Sequence, residues 1–309
     1  MSTGTIQLNA TGGFRVPHSR MARAGAILEV LVAFALVHVG FRAFKHFSEL
    51  GHLEGASHLN FSPGMAMIFF TISTMLLFRR DFASYGLKSA ENGQALKTGL
   101  LWGLILVAGA GLLRLLGVQH LPGIKPPTMT EGIIYAAASL GAVVLFCWLL
   151  MRQRAILGRV PTLVAILVFL TVMCGPVVVA VYYHRPVAHT LLTVLWLAFG
   201  AGCGEEIFYR GYIQSRVNES FGRPFRFLGV QFGLGLLVSS LLFGFLHALN
   251  SVDYFEGRFT FAWGFCIANI FTGLFYGCLR ESTGSVWAGA VTHATLDVLV
   301  IVPGLISGL

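Results

Sequence analysis

The stretch VAHTLLTVLWLAFGAGCGEEIFYRGY, residues 187–212, joins a long apolar run to two adjacent acids, Glu205 and Glu206, with Arg210 close behind. An apolar run of this length is typical of a membrane-spanning helix. Carboxylates at membrane depth are costly, and where they occur they mark functional sites. The stretch therefore predicts both a membrane helix and a chemical role for its acids.

The composition of the whole chain extends this prediction. Charged residues make up 11% and hydrophobic residues 56% of the 309 residues, and the mean hydropathy is +0.76, whereas about a quarter of the residues in a soluble domain are charged. None of the apolar runs alternates with the period of two that a transmembrane barrel requires. The predicted fold class is all-α, a polytopic transmembrane helix bundle of about eight or nine spans. The candidate spans are residues 24–41, 61–78, 98–118, 133–151, 160–183, 187–204, 227–247, 261–279 and 285–306.

Basic loop residues predict the orientation, because Lys and Arg are enriched in cytoplasmic loops. Residues 1–23 carry three arginines and no acid, and the apolar run after them lacks a cleavage signal. We therefore expect a cytoplasmic N-terminal tail and a retained first helix, in the inner membrane if the protein is bacterial. The basic residues are Arg79, Arg80, Lys88 and Lys97 after the second span, Arg152, Arg154 and Arg159 after the fourth, and Arg210, Arg216, Arg223 and Arg226 after the sixth.

The net charge of +8 follows from this loop bias. It is no evidence for a nucleic-acid partner, and no RNA- or DNA-binding motif is present. The expected partners are the lipid bilayer and a membrane-associated protein or peptide.

Chemically versatile residues are concentrated toward the C-terminus. Residues 24–183 are mostly aliphatic and aromatic, with isolated polar residues such as Glu29 and His38, whereas residues 184–309 hold the paired acids and helix-spaced histidines. We expect a tail (1–23), a set of N-terminal transmembrane helices and a C-terminal catalytic core.

The cysteines and glycines predict packing. The cysteines lie in or beside apolar runs without CxxC spacing, which is typical of small buried side chains. Gly200, Gly202 and Gly204 lack the GxGxxG spacing of a nucleotide loop, so we expect them to loosen a helix or to permit close packing beside a polar cavity. Gly273 and Gly277 form a GxxxG helix-packing pattern. The five cysteines are Cys147, Cys174, Cys203, Cys266 and Cys278.

The two adjacent acids differ in their neighbours along a helix. Glu206 and Arg210 are four residues apart, so they share a helix face and can form an ion pair. Glu205 is rotated by about 100° from that face and has no cation nearby in the sequence, which suits a general base. The alternative is a solvated cluster at the membrane interface with a structural role.

Two further helical patterns carry histidine. SSLLFGFLHALN places Phe243 and His247 one turn apart, with Asn250 three residues further on the same side. AVTHATLDVL places Asp297 four residues after His293, where a carboxylate can orient the imidazole or both can help to bind a metal. Taken alone, an intramembrane histidine is commonly a hydrogen-bonding group between helices.

In this order, the patterns EExxxR, FxxxHxxN and HxxxD on three apolar helices resemble the CPBP family of intramembrane proteases. This is the CAAX-protease and bacteriocin-processing family, which includes Rce1-like prenyl-protein endoproteases and bacterial Abi proteins. The resemblance covers about residues 190–300 of the chain. It implies an intramembrane endopeptidase that cleaves a membrane-associated protein or peptide.

The resemblance also implies roles by position. Glu205 would activate the attacking water with help from His247, and Phe243 and Asn250 would be supporting residues of the site. Glu206 would be the structural partner of Arg210.

His293 and Asp297 match positions that contribute to binding the oxyanion, where Rce1-like members usually have Asn. An ionised Asp cannot donate a hydrogen bond to an oxyanion. Either Asp297 is protonated, or it holds His293 while another group donates.

No cofactor is expected, with zinc as the alternative. The family was first described as a metalloprotease group, and Glu205, His247 and His293 would be the ligands of a metal. The HExxH spacing is absent, and the family is generally viewed as glutamate-dependent without metal. We therefore favour the metal-free mechanism.

The seventh span imposes a geometric condition on this site. If it ran straight from the cytoplasmic side, His247 would lie about 30 Å away, far from a Glu205 near that same side. Either the helix that carries Glu205 extends over about residues 190–217, with GRPFRF (222–227) as the turn, or part of 221–236 lies along the interface. We favour the first arrangement.

The sequence thus predicts a membrane endopeptidase with a Glu205-activated water. The alternative is a catalytically silent membrane scaffold or immunity protein of the same fold. Retention of Glu205 and both histidines favours the enzyme, because a scaffold would need only the ion pair. A proton-coupled transporter is disfavoured, since the two halves show no inverted repeat.

Overall fold

A computed structural model describes residues 19–88, 91–118 and 127–308 of the chain. Most of the predicted tail, residues 1–18, lies outside the described part. The elements in order are α1 (Arg20–Phe47), α2 (Glu49–Ser57), α3 (Phe61–Leu77), α4 (Asn92–Leu115), α5 (Met129–Gly158), α6 (Thr162–Tyr182), α7 (Val187–Leu195), two π-helical segments (Trp196–Glu205 and Ile207–Gln214), α8 (Ser215–Phe221), β1 (Phe225–Phe227), β2 (Val230–Phe232), α9 (Leu234–Ala248), a 3₁₀ turn (Leu249–Ser251), β3 (Val252–Asp253), β4 (Arg258–Phe259), α10 (Trp263–Thr283), α11 (Val286–Val300) and α12 (Val302–Ser307).

Each of the nine predicted apolar runs corresponds to a helix, which confirms the all-α class. Within the described residues, seven helical segments are long and apolar enough to cross a membrane. The predicted second span is α3, which is too short to be counted among the seven. The predicted eighth span is α10, which is not among the seven because it carries polar residues such as Asn269 and Arg280. The protein is a multi-pass integral membrane protein.

The predicted acids lie on one unusually long helix. The elements from α7 to α8, including both π-helical segments, form a continuous helix, Val187–Phe221, of 35 residues, which we call the glutamate helix. It is about 50 Å long at 1.5 Å per residue, well beyond the hydrocarbon thickness of about 30 Å. Gly222 ends it with a φ of 73°, and β1 and β2 then form an antiparallel hairpin. The favoured extended helix is confirmed, but the predicted turn at 222–227 is too short. Residues 222–233 connect the two helices through the β-hairpin, so the helical part of the predicted seventh span, 227–247, begins only at Leu234.

The alignment of the glutamate helix with α9 brings His247 to the level of the two acids, as the predicted site requires. The Gly235 amide at the start of α9 donates to the Asn218 side-chain oxygen at 2.9 Å. His247 lies twelve residues after Gly235, and Glu206 lies twelve residues before Asn218. Because the two helices are antiparallel, these equal offsets place His247 and the acids at the same level along the helix axes.

Glycines on the glutamate helix permit close contact on two sides, as predicted. A Cβ on Gly204 would lie 2.7 Å from the Cα of Gly64 on α3, and one on Gly202 would lie 3.0 Å from the Ala294 Cβ on α11. Both approaches are too close for a larger side chain on that face. The glycine-rich stretch also coincides with the first π-helical segment, a distortion that is frequent at functional sites.

The GxxxG pattern of α10 packs against α9. A Cβ on Gly273 would lie 3.1 Å from the Ser240 Cα, and one on Gly277 would lie 2.9 Å from the Leu236 Cγ. The predicted role in helix packing is confirmed.

The cysteines follow the prediction in part. Cys147, Cys266 and Cys278 are buried, Cys203 is intermediate and Cys174 is exposed, and all five are free thiols. The expectation of burial is wrong for Cys174 because α6 lies at the periphery of the bundle, where much of its surface faces outward.

The N-terminal helices pack directly onto the C-terminal ones, α3 on the glutamate helix, α4 on α11 and α5 on α10. The isolated polar residues of this half have partners across these contacts. Glu29 on α1 accepts from the Tyr212 hydroxyl at 2.6 Å and pairs with Arg216 at 2.8 Å and with Arg80 at 2.5 Å. The prediction that Arg210 and Arg216 lie in the loop after the sixth span is wrong, because both lie on the glutamate helix. Arg216 and the loop residue Arg80 meet at Glu29, at one end of the bundle.

We predict that Gly204→Ala lowers the stability of the protein, because the added methyl must separate α3 from the glutamate helix. Overpacking of this kind costs about 1–3 kcal/mol. Thermal unfolding of the purified protein in detergent measures the effect. Gly141→Ala on α5 is the matched control, since a Cβ there meets nothing within 4 Å. Equal midpoints for the two variants would contradict the prediction.

Candidate active site

The predicted ion pair forms inside the bundle. Arg210 Nε lies 3.4 Å from Glu206 Oε2, and both side chains are completely buried. The four-residue spacing places them on one face of the glutamate helix, as the sequence indicates. Burial of both charges requires further polar or aromatic contacts around the pair, because desolvation costs several kcal/mol per ion.

Arg210 obtains these contacts from the neighbouring helices α9 and α10. Its Nη2 donates to the Gly273 carbonyl oxygen at 3.2 Å. Its guanidinium carbon lies 4.4 Å from the ring centroid of Phe243 and 5.4 Å from that of Tyr276. A guanidinium over an aromatic face is stabilised electrostatically, more so when it is desolvated. Phe243, predicted to be a supporting residue of the site, thus supports the cation.

His293 lies between three carboxylates. Its Nε2 is 3.9 Å from Glu205 Oε2 and 3.4 Å from Asp297 Oδ2, and its Nδ1 is 3.6 Å from Glu206 Oε1. These separations exceed the roughly 2.7–3.2 Å of a direct hydrogen bond, so the groups interact mainly as charges. The structure thus brings together both predicted acids and the His293–Asp297 pair, although the latter is 87 residues or more away in the chain.

His247 and His293 both lie beside the aromatic ring of Phe243. Its Nδ1 lies 2.8 Å from the Phe243 carbonyl oxygen, which can only accept, so Nδ1 carries the proton and Nε2 of the neutral ring is an acceptor. The Phe243 ring lies 4.7 Å from the His247 ring and 6.2 Å from the His293 ring. Among the described residues, His293 is the histidine within ion-pair distance of Glu205. The role of His247 in assisting the attacking water stays a prediction.

Asn250 is not part of this cluster. Helix α9 ends at Ala248 and a 3₁₀ turn follows, so the helical phase that would align Asn250 with His247 is lost. Asn250 is exposed, and its carbonyl oxygen accepts from Arg42 at 3.2 Å. The expectation that it is a supporting residue of the site is therefore corrected.

Two residues of the site were not predicted from the sequence. A Cβ on Gly289 would lie 2.4 Å from Glu206 Oε2, so only glycine leaves room for the carboxylate there. The Tyr276 ring stacks on His293 with centroids 5.0 Å apart and planes inclined by 22°. Gly289 lies one turn before His293, and Tyr276 lies inside the GxxxG pattern, but neither spacing points to a site by itself.

The cluster holds an unusual number of buried polar atoms that lack a protein hydrogen-bond partner within the described part of the chain. Such atoms are costly unless water or a ligand satisfies them. Their grouping marks a place suited to bind water or the polar groups of a ligand. They are Glu205 Oε2, both carboxylate oxygens of Glu206, Tyr209 Oη, Arg210 Nε and Nη1, and His293 Nδ1.

The predicted zinc ligands are not arranged around one point. Across residues 19–88, 91–118 and 127–308, no three His, Cys, Asp or Glu side chains are positioned to hold a metal ion together. Glu205, His247 and His293 therefore do not form a metal site in this arrangement.

Residues 187–299 match the family model described as Rce1-like, Type II CAAX prenyl endopeptidase Rce1-like. The segment is similar to this family over 113 of the 309 residues, and we call it the Rce1-like domain. It contains every side chain of the site from Glu205 to Asp297 and agrees with the resemblance to the CPBP family. Neither the curated proteins nor the solved structures gave a match to the chain. The Rce1-like domain implies CAAX-type intramembrane endopeptidase activity on a membrane-associated peptide.

We predict that Glu206→Gln destabilises the Rce1-like domain, because it leaves the Arg210 charge buried without its counterion. Breaking a buried pair in this way costs about 3–5 kcal/mol. Lower protein levels in the membrane and a lower unfolding midpoint are expected. Glu256→Gln is the control, since it removes an exposed pair with Arg258 at 2.7 Å, worth about 0–1 kcal/mol. A Glu206→Gln protein as stable as this control would show that the pair is not required.

Proposed function

We propose that the protein is an endopeptidase that hydrolyses a peptide bond of a membrane-associated protein or peptide, using a water activated by Glu205. The observation that carries this proposal is the contrast between two adjacent carboxylates. The Glu206 side chain is completely buried and faces Arg210, whereas the Glu205 side chain is 15% exposed. Only Glu205 is placed to meet water.

Glu205 fits the role of general base. It would accept a proton from water, the resulting hydroxide would attack the peptide carbonyl carbon, and the proton would pass to the leaving nitrogen as the C–N bond breaks. The products are a carboxylic acid and an amine. Because Glu206 is held by Arg210, the two acids do not compete for the same proton.

The histidines fit separate supporting roles. With Nδ1 donating to the Phe243 carbonyl, neutral His247 presents Nε2 as an acceptor for a hydrogen of the attacking water. His293 lies beside all three carboxylates, so its imidazolium form would offset one of their negative charges. Asp297 contacts His293 Nε2, which favours the role of holding His293 over that of a direct hydrogen-bond donor to the oxyanion.

The rival hypothesis is a non-catalytic scaffold of the same fold. Such a protein would need the Glu206–Arg210 pair for its packing. It would not need a partly exposed Glu205 beside His293, or a group of buried polar atoms that make no protein hydrogen bond. These features support the enzyme.

We predict that Glu205→Gln lowers hydrolysis by about 10² or more, as the loss of a general base does, while protein levels stay near normal. Quantitative proteomics of membrane peptides, in cells expressing wild type or the variant, measures activity and reveals substrates together. Glu256→Gln on the exposed hairpin is the control and should match wild type. An unchanged peptide pattern for Glu205→Gln would eliminate the proposed mechanism.

Metal analysis separates the glutamate mechanism from the zinc alternative. If Glu205 activates water directly, purified active protein should contain far less than one metal ion per chain, and strong chelators should leave the rate intact. A zinc enzyme would contain about one equivalent and lose activity reversibly on chelation. His247→Ala and His293→Ala should be inactive in both cases, so only the metal measurement decides.

A further inference from the structure

A second polar site lies away from the catalytic cluster. A cavity of about 700 Å³ opens between the end of α5, the β1–β2 hairpin and the C-terminal end of α10. The Gln214 side chain reaches its wall by donating to Glu281 at 2.8 Å. Gln214 is nine residues after Glu205, about 14 Å along the helix axis. The catalytic mechanism uses none of this lining.

Arginine dominates the charge of this cavity, which we call the arginine pocket. Four arginines and one acid line it, Arg154, Arg223, Arg226, Arg280 and Glu281. A cavity with this excess of positive charge attracts anions.

The one acid that lines the pocket, Glu281, already has polar partners within the protein. Glu281 pairs with Arg223 at 2.6 Å and also accepts from Gln214 at 2.8 Å and from Asn218 at 2.5 Å. Its side chain is only 2% exposed. Its oxygens are thus engaged by Arg223, Gln214 and Asn218, and its single negative charge cannot offset the charges of four arginines.

The remaining arginines have no acidic partner among the described residues. Arg154 donates to the carbonyl oxygen of Ser282, and Arg280 donates to the carbonyl oxygen of Ser84 at 3.0 Å. A carbonyl oxygen orients a guanidinium but carries no net charge. The Nε of Arg280 is buried without any protein partner. Three positive charges thus remain without an anion.

The surroundings of the arginine pocket favour a lipid as the source of that anion. Trp148 on its wall is 62% exposed on the outer side of α5, and Leu228 of the hairpin is 49% exposed. Phe225 and Phe227 beside it are each 45% exposed. Arginines beside exposed aromatic and aliphatic side chains are typical of the membrane interface. A soluble anion would contact only the arginines, whereas a phospholipid would contact the arginines with its headgroup and the exposed apolar side chains with its acyl chains.

The position of the arginine pocket in the bundle also favours a lipid headgroup as its anion. The pocket is built from the last turns of α5, from the β1–β2 hairpin with the residues before it, and from the end of α10. The arginine distribution predicts this end to be cytoplasmic, and basic pockets between helices on that side bind anionic headgroups.

We propose that the arginine pocket binds the headgroup phosphate of an anionic phospholipid, with the acyl chains lying along α5 beside Trp148. The phosphate would be held by Arg154 and Arg226 at the mouth and by the field of Arg280 behind them. This proposal does not depend on the proteolytic function, because its test measures lipid binding and not hydrolysis.

The test uses the full-length protein purified in detergent and incubated with equal amounts of phosphatidylglycerol and phosphatidylcholine. Native mass spectrometry then counts the lipids retained. Wild type should prefer phosphatidylglycerol, and the double variant Arg154→Gln with Arg226→Gln should lose that preference by about tenfold or more. Both side chains are exposed, so unfolding midpoints should stay close to wild type.

The matched control is Arg79→Gln with Arg159→Gln, which removes the same charge from two exposed arginines of the basic loops that do not line the pocket. This control should retain the preference within about twofold, since phosphate contact and not overall charge is the proposed cause. Equal losses in the two double variants, or equal retention of both lipids by wild type, would overturn the proposal. Millimolar inorganic phosphate should fail to displace the lipid. Full displacement would instead assign the pocket to a soluble phosphate.

Discussion

The ion pair between Glu206 and Arg210 is buried away from water, and four helices are built around it. Desolvating both charges costs several kcal/mol per ion, so the neighbouring helices must supply compensating contacts. Helix α10 provides the Gly273 carbonyl and the Tyr276 ring, α9 provides the Phe243 ring, and α11 leaves room for the Glu206 carboxylate at Gly289. Because the pair tolerates little displacement, these contacts also fix the relative positions of the groups that would perform catalysis.

One consequence is a difference between two acids that are neighbours in the chain. The helical rotation of about 100° per residue turns Glu206 toward the Arg210 cation and Glu205 toward the accessible side of the cluster, while His293 lies beside both acids. The two histidines differ in the same way. His293 lies among carboxylates, whereas His247 contacts a carbonyl oxygen and aromatic rings. Similar residue types are thereby given separate roles by what surrounds them.

The N-terminal helices contribute to this arrangement although they carry none of the proposed catalytic groups. Helix α3 meets the glutamate helix where glycine faces glycine, and α1 is joined to its far end by Glu29, which binds Tyr212 and Arg216. Polar contacts thus hold the helices together at one end of the bundle, and close backbone packing holds them together nearer the middle of the glutamate helix. The arginine pocket lies at that same polar end, where arginine charges exceed the acids available to pair with them.

The sequence by itself determined the features that repeat within one helix. Apolar runs gave the nine helices, the four-residue spacings gave the Glu206–Arg210 and His293–Asp297 pairs, and the glycine spacings gave close packing. Only the tertiary structure decided that His293 contacts Glu205, that Asn250 lies apart from the site, and that Gly289 and Tyr276 belong to it. The physical reason is that helical periodicity relates residues one turn apart. Contacts between helices depend on their register and rotation, which arise from packing over the whole bundle and leave no local pattern in the chain.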